Sequence, residues 1–227
     1  MPVMLPLWSE FPEDRFSTEE DRQFLIGRNI LIRAVTEAGV SSVSVYLPGH
    51  DTSWYDIDTW KQFRGPGAVY VDTPMTKTPI FYRGGGIIPM RERVRRSASL
   101  MNHDPFTLLV AIDYPGKYAN GTLYFDDGET YDYVKDKQYT YRLFEYNGTM
   151  SGGVITSKNL APESRYALEV YIERIIVLGL RYYPESVKIK YGGGSRNLSF
   201  KLRQDSMSLI IRKPAVKLDT DFRIEIS

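Results

Sequence analysis

The stretch from Lys77 to Met90, KTPIFYRGGGIIPM, governs how the rest of the chain reads. Pro79 and Pro89 bracket two short apolar runs, Ile80–Tyr82 and Ile87–Ile88, with Gly84, Gly85 and Gly86 between them. This is the pattern of two strand pieces joined by a bend, because glycine takes positive φ without a Cβ penalty and lets another backbone or a ligand come close. A phosphate-cradling loop would need a helix with a lysine and a Ser/Thr after the glycines. Pro89 and Arg91 follow here, so the bend reading stands.

Upstream, Val40–Leu47 (VSSVSVYL) alternates apolar and polar residues and reads as a strand closed by Pro48-Gly49. Trp54–Asp56, Ala68–Val71 and Ile30–Val35 are further strands. Ser17-Thr18-Glu19-Glu20 has the spacing of a capping box and predicts a short helix that ends by Gly27. The apolar, proline-broken segment Met1–Pro12 should lie against something buried, and its abrupt start suggests a chain that begins partway through a larger fold.

Downstream, Arg91–Arg96 (RERVRR) is the only dense basic run and reads as a solvated linker at a domain boundary. Phe106–Asp113 and Thr122–Phe125 are strands, and Asp126-Asp127-Gly128 should turn the chain into Tyr131–Tyr133 as a hairpin. Further strands are expected at Tyr139–Tyr146, Gly153–Ser157, Tyr166–Leu178, Ser186–Tyr191, Leu198–Leu202, Ser208–Arg212 and Phe222–Ile226. Many short, turn-bounded strands indicate an all-β sandwich architecture. The 13% aromatic content agrees with it.

Lys plus Arg number 29 against 28 Asp plus Glu, which gives no global attraction to nucleic acid or an anionic membrane. Without cysteine there is no disulfide framework, thiolate metal site or cysteine nucleophile. No apolar stretch is long enough for a membrane span, and MPVMLPLW lacks the layout of a signal peptide. His50 and His103 each sit beside an aspartate in a polar turn, too few ligands for a metal site. No G-x-S-x-G elbow occurs. Asp126 and Asp127 are adjacent, and neighbours in an extended segment point to opposite faces, so they suit a turn better than paired acid/base work on one bond. Sequons at Asn120, Asn147 and Asn197 permit N-glycosylation in the secretory pathway, although Asn120-Gly121 and Asn147-Gly148 are also hairpin-turn signals.

In order, PVMLPLWSEFPED, QFLIG, VYLPG with WYD, TPIFYRGGGIIP and GTLYFDDGETYDY resemble the C-terminal part of family 31 glycoside hydrolases, the retaining α-glucosidases. RVRRS (Arg93–Ser97), YIERIIVLG (Tyr171–Gly179) and LIIRKP (Leu209–Pro214) look most like an endoplasmic-reticulum member that trims glucose from N-glycans with a regulatory β subunit. The resemblance implies two consecutive β-sandwiches preceded by the last strand and helix of a (β/α)8 barrel. Residues 1–37 would then be the barrel end, 38–97 the proximal sandwich and 98–227 the distal one.

The family's nucleophile motif, of W-x-D-M-N-E type, does not occur in this sequence, nor do its acid/base and sugar-binding motifs. The resemblance therefore implies a supporting piece with no catalytic residue, no metal and no cofactor. Its expected partners are the rest of the barrel, the regulatory subunit and the glucosylated N-glycan. Met4-Leu5-Pro6, Gly27-Arg28 and Ala34 depart from the family's usual Met-Arg-Pro, Gly-Asp and proline. The alternative is a stand-alone carbohydrate-binding or structural module, with Trp54, Tyr55 and Trp60 as sugar-stacking candidates.

Overall fold

A computed structural model describes residues 2–149, 151–164, 166 and 169–227. The chain divides into two compact units, one of residues 1–86 with 113–115, the other of residues 87–112 with 116–227.

In the first unit, β1 (Met4–Pro6), β2 (Gln23–Ile26), β3 (Ile30–Arg33), β5 (Ser53–Asp56), β6 (Gln62–Arg64) and β8 (Ile80–Arg83) form one sheet, in the order β1-β2-β3-β8-β5-β6. A separate antiparallel pair joins β4 (Ser42–Leu47) to β7 (Gly67–Asp72). Alternation in β4 turns Val43, Val45 and Leu47 inward. They meet Leu5, Leu7, Leu25, Leu31, Trp54 and Phe81 of the larger sheet and its connections in one apolar core. Residues 1–37 supply β1, β2 and β3, which pair antiparallel, with β3 joining β8.

The expected helix differs in extent and cap. It spans Arg15–Glu19 (α1), and Asp14 caps it by accepting a hydrogen bond from the Phe16 amide at 3.1 Å. Ser17 lies inside the helix, buried, its Oγ without a hydrogen-bond partner among the described residues. The chain from Gln23 is strand rather than helix, because its alternating burial fits a sheet and Gly27, at φ +57°, turns it directly into β3.

The second unit is a single sheet of eleven strands. In chain order these are β9 (Gly86–Met90), β10 (Phe106–Ala111), β11 (Tyr118–Phe125), β12 (Thr140–Gly148), β13 (Gly153–Asn159), β14 (Tyr171–Leu178), β15 (Val187–Tyr191), β16 (Gly194–Asn197), β17 (Phe200–Arg203), β18 (Ser208–Lys217) and β19 (Phe222–Ile226). Side chains from both halves of this sheet, among them Phe144, Ile155 and Ile224 on one side and Ile175, Val177 and Ile211 on the other, share one core, so the sheet curls into a sandwich. The pair β10–β14 is parallel. Positions 167 and 168 of the expected Tyr166–Leu178 strand lie outside the described residues, and the observed strand begins at Tyr171.

The glycine bend joins β8 to β9, and the unit division falls there, between Gly86 and Ile87. Gly85 has φ +92°, and a Cβ on Gly86 would sit 2.7 Å from the Asn29 side chain. The basic run Arg91–Arg96 falls inside the second unit and is not a free linker. Arg95 forms a two-pronged pair with Asp104 at 2.9 and 2.7 Å, Arg93 reaches Glu173 at 3.0 Å, and Arg91 lies over the rings of Phe106 and Phe125. Residues 92–96 stay exposed, as the sequence suggests, while carboxylates and aromatic faces partner the guanidinium groups of Arg91, Arg93 and Arg95.

Asn120-Gly121 is not a turn. It lies in the middle of β11, where Gly121 pairs with Phe144 and a Cβ would strike the Ile87 backbone, so glycine serves close packing there. The partner of β11 is β12, not Tyr131–Tyr133, and the connection carries a one-turn helix α2 (Asp132–Lys135).

Candidate functional site

A hollow of the first unit, about 670 Å³, lies over the segment Glu10–Phe16 and is closed by Tyr46, Gly49, His50, Pro66 and Gly67. Its walls are built by the motifs that stood out in sequence. Phe11 of SEFPED is buried beside Trp54, with ring centroids 6.2 Å apart. Asp14 of the same motif accepts the Tyr46 hydroxyl on both carboxylate oxygens, at 2.8 and 2.7 Å. Gln23 of QFLIG exchanges two 2.7 Å hydrogen bonds with the Tyr46 backbone. The Trp54 indole donates to the Pro48 carbonyl at 2.9 Å, fixing VYLPG against WYD. Gly49 is obligatory because φ is +89° and a Cβ would lie 2.6 Å from the Phe11 ring.

The charges here are committed to structure. Glu10 pairs with Arg28 at 3.0 Å and Arg83 at 3.3 Å, so Arg28, where the family usually has aspartate, has a partner of opposite sign. Arg83 also covers the Phe11 ring at 4.4 Å, and its burial lowers its pKa against the opposing pull of Glu10. Burial first, and then the bond to Asp14, hold the Tyr46 phenol well above its usual range. The hollow is apolar at its open side, where Phe16 is exposed, and Val3, Met4 and Trp8 of the same N-terminal segment are exposed too. Such a surface is suited to docking.

The residues singled out in sequence fall elsewhere. Asp126 accepts from the Gly128 amide at 2.9 Å, while Asp127 accepts from the Glu129 and Thr130 amides, each at 3.1 Å, and from the Thr130 hydroxyl at 2.7 Å. These bonds, the Thr130 hydroxyl first, hold the Asp127 carboxyl below its usual range. Both aspartates therefore serve the turn.

His50 pairs only with neighbouring Asp51, and among the described residues no group of histidines and acids could hold a metal. Trp54 and Tyr55 are fully buried, which removes them as sugar platforms, and Trp60 is half-buried at φ +61°. Asn120, Asn147 and Asn197 are all exposed. No helix of the described residues is long and apolar enough to cross a membrane.

Residues 1–88 match the description "Glycosyl hydrolase family 31 C-terminal domain". The chain is a C-terminal region of glycosyl hydrolase family 31. All of this family 31 region aligns with neutral alpha-glucosidase AB of Homo sapiens, at 34% identity over 226 residues. It spans 23% of that protein's length. A crystal structure of glucosidase II alpha subunit with DNJ bound matches the whole chain at a TM-score of 0.90 and 26% identity, over 26% of its own length. The ER glucosidase II heterodimeric complex, of catalytic subunit and the binding domain of the regulatory subunit, matches at a TM-score of 0.88 and 27% identity, again covering all of this chain and 26% of the other.

Proposed function

We propose that this region is the supporting C-terminal part of a retaining α-glucosidase that hydrolyses α-linked glucose from N-glycans in the endoplasmic reticulum. Its own residues contribute no catalytic carboxylate, metal or cofactor. Catalysis by a barrel elsewhere in the whole protein would run through a glucosyl-enzyme intermediate formed and hydrolysed by two carboxyl groups. The observation that carries the reading is the alignment of the entire chain with neutral alpha-glucosidase AB. The exposed apolar residues Val3, Met4, Trp8 and Phe16 support it, since a barrel would cover them.

In this reading residues 1–37 belong to the end of the barrel, 38–97 to the proximal and 98–227 to the distal sandwich. A regulatory β subunit is the proposed partner, after the complex seen for the structural relative. The exposed Asn120, Asn147 and Asn197 are proposed acceptors of N-glycans in that compartment.

A chimera tests the proposal. This chain replaces the aligned region of human neutral alpha-glucosidase AB, and hydrolysis of p-nitrophenyl α-glucoside is measured for the chimera and for the chain alone. The chimera should turn over substrate and the chain alone should not. A well-folded but inactive chimera, or activity of the chain alone that disappears with Asp126→Ala or Asp127→Ala, would sink the reading.

A further inference from the structure

The second unit carries a hollow of about 560 Å³ beside the Asp126–Thr130 turn that the supporting role does not use. Its walls are Tyr124, Asp126, Glu129, Thr130, Tyr131 and Tyr133, with the backbone of Gly128. Two of the rings are open to solvent, Tyr131 at 72% and Tyr124 at 47%. Large exposed aromatics on a folded surface are unusual when gathered at one concavity.

These rings are held in place. Tyr124 stacks on Tyr139 with centroids 5.4 Å apart and planes at 23°, so one face is supported, and the Asp126 carboxylate lies near its hydroxyl. Desolvation first, and then the nearby Asp126 carboxylate, push the Tyr124 phenol up to about 12. Tyr139 is in turn anchored by its hydroxyl to Glu163 at 2.8 Å. Tyr131 and Tyr133 form a second pair, 6.2 Å apart and inclined at 37°. The turn between the two pairs is pinned by the four hydrogen bonds that Asp126 and Asp127 accept.

The polar groups narrow the choice of ligand. Neither lysine nor arginine lines the hollow, which disfavours phosphate, sulfate or carboxylate. Asp126 and Asp127 are engaged by the turn, so Glu129 is the wall's carboxylate left to accept from a ligand; it has no ion-pair partner among the described residues. Aromatic faces beside one carboxylate acceptor suit a molecule with an apolar C–H face and a ring of hydroxyl donors. A cage for an ammonium group would converge several ring faces on one point within about 6 Å. Here the rings form two pairs, one stacked and one tilted.

We propose that this hollow binds a neutral oligosaccharide, with Tyr131 and Tyr124 stacking on sugar rings and Glu129 accepting sugar hydroxyls, as a non-catalytic site of the second unit. The site is argued from its own side chains and stands whether or not the chain supports an α-glucosidase barrel. Rigid rings lose little freedom on binding, which favours a weak but real site.

The test is titration of the complete 227-residue chain, followed by NMR of labelled tyrosine and glutamate or by calorimetry. The probes are maltotriose and, as the cationic alternative, tetramethylammonium. Maltotriose should bind with a millimolar Kd, weakened about tenfold or more by Tyr131→Ala and severalfold by Glu129→Gln, with unchanged melting temperature because both side chains are exposed. Trp8→Ala, on the other unit, should leave the affinity unchanged. Absence of saturable maltotriose binding, equal binding by Tyr131→Ala at unchanged melting temperature, or preference for tetramethylammonium over maltotriose would each overturn the assignment.

Discussion

Replacing Arg142 with methionine should destabilise the second unit by about 3 kcal/mol, because this one side chain closes the turn before the last strand. Arg142 is fully buried on β12. Its Nε and one terminal nitrogen donate to Ser157 Oγ at 3.3 and 2.8 Å; the Asp219 and Thr220 carbonyls accept at 3.0 and 3.1 Å, and Asp221 accepts at 2.6 Å. Methionine fills much of the volume but donates nothing. The buried Ser157 hydroxyl and the two carbonyls would then lose their partner, each at a cost of about 1 kcal/mol or somewhat more. Asp221 adds less, since its side chain is 67% exposed and water can take over.

For a chain of this size, about 3 kcal/mol corresponds to a fall in Tm of roughly 6–12 °C. Arg142→Lys separates charge from geometry. An ammonium cannot reach Ser157, two carbonyls and Asp221 together, and it would bury its charge with fewer acceptors, so lysine should be no better than methionine. The assay is thermal and urea unfolding, with amide exchange at Phe222–Ile226 as the local readout, where protection should drop. If either variant stays within about 0.5 kcal/mol of the parent, the guanidinium does not hold the turn, and the reasoning from burial and hydrogen bonds fails.

Two further outcomes follow from local geometry. Gly121→Ala should lower Tm far more than Gly128→Ala: the first places a Cβ against the Ile87 backbone, 2.8 Å from its carbonyl carbon, whereas the second meets nothing within 4 Å and pays only for its φ of +70°, about 1 kcal/mol. Equal losses in a thermal melt would refute the close-packing role of Gly121. Asp104, clamped by Arg95 with Arg93 and Arg91 nearby, has its carboxyl held below the ordinary value. Its stabilisation is therefore complete above the unfolded aspartate range, about pH 4, and fades as pH falls through the lower folded value. Asp104→Asn should lower stability at neutral pH and flatten the acid limb of a stability–pH curve; an unchanged limb would show that the clamp contributes nothing.

What was legible in the sequence depended on whether a residue's role is decided by its neighbours in the chain. The alternation of Val40–Leu47 is a local signal, and β4 appears there with Val43, Val45 and Leu47 inward. The glycines of the 77–90 stretch likewise gave the bend between β8 and β9. Ser17 had the spacing of a cap, but Asp14, which the Tyr46 hydroxyl also holds, sits one turn earlier and takes that role. Asn120-Gly121 carried a turn signal, yet what places it in mid-strand is the approach of Ile87, 34 positions earlier in sequence.

The basic run is exposed, as its charge suggests, but it also finds partners at Asp104 and Glu173, and nothing local in the sequence announces Glu173. The same reason hid both hollows. SEFPED, QFLIG, VYLPG and WYD could be recognised one by one, but their convergence on Tyr46 and Trp54 is a product of tertiary contact. Trp54 and Tyr55 are sugar-stacking candidates only in the alternative reading of the sequence, where aromatic character is visible and burial is not, and the structure makes both core. The tyrosines that do face solvent, Tyr124 and Tyr131, lie beside a turn whose sequence drew the eye to its aspartates. The rule that separates the two cases is physical: an aromatic on a strand with both faces covered is core, while one at the open end of a hairpin has a face to offer.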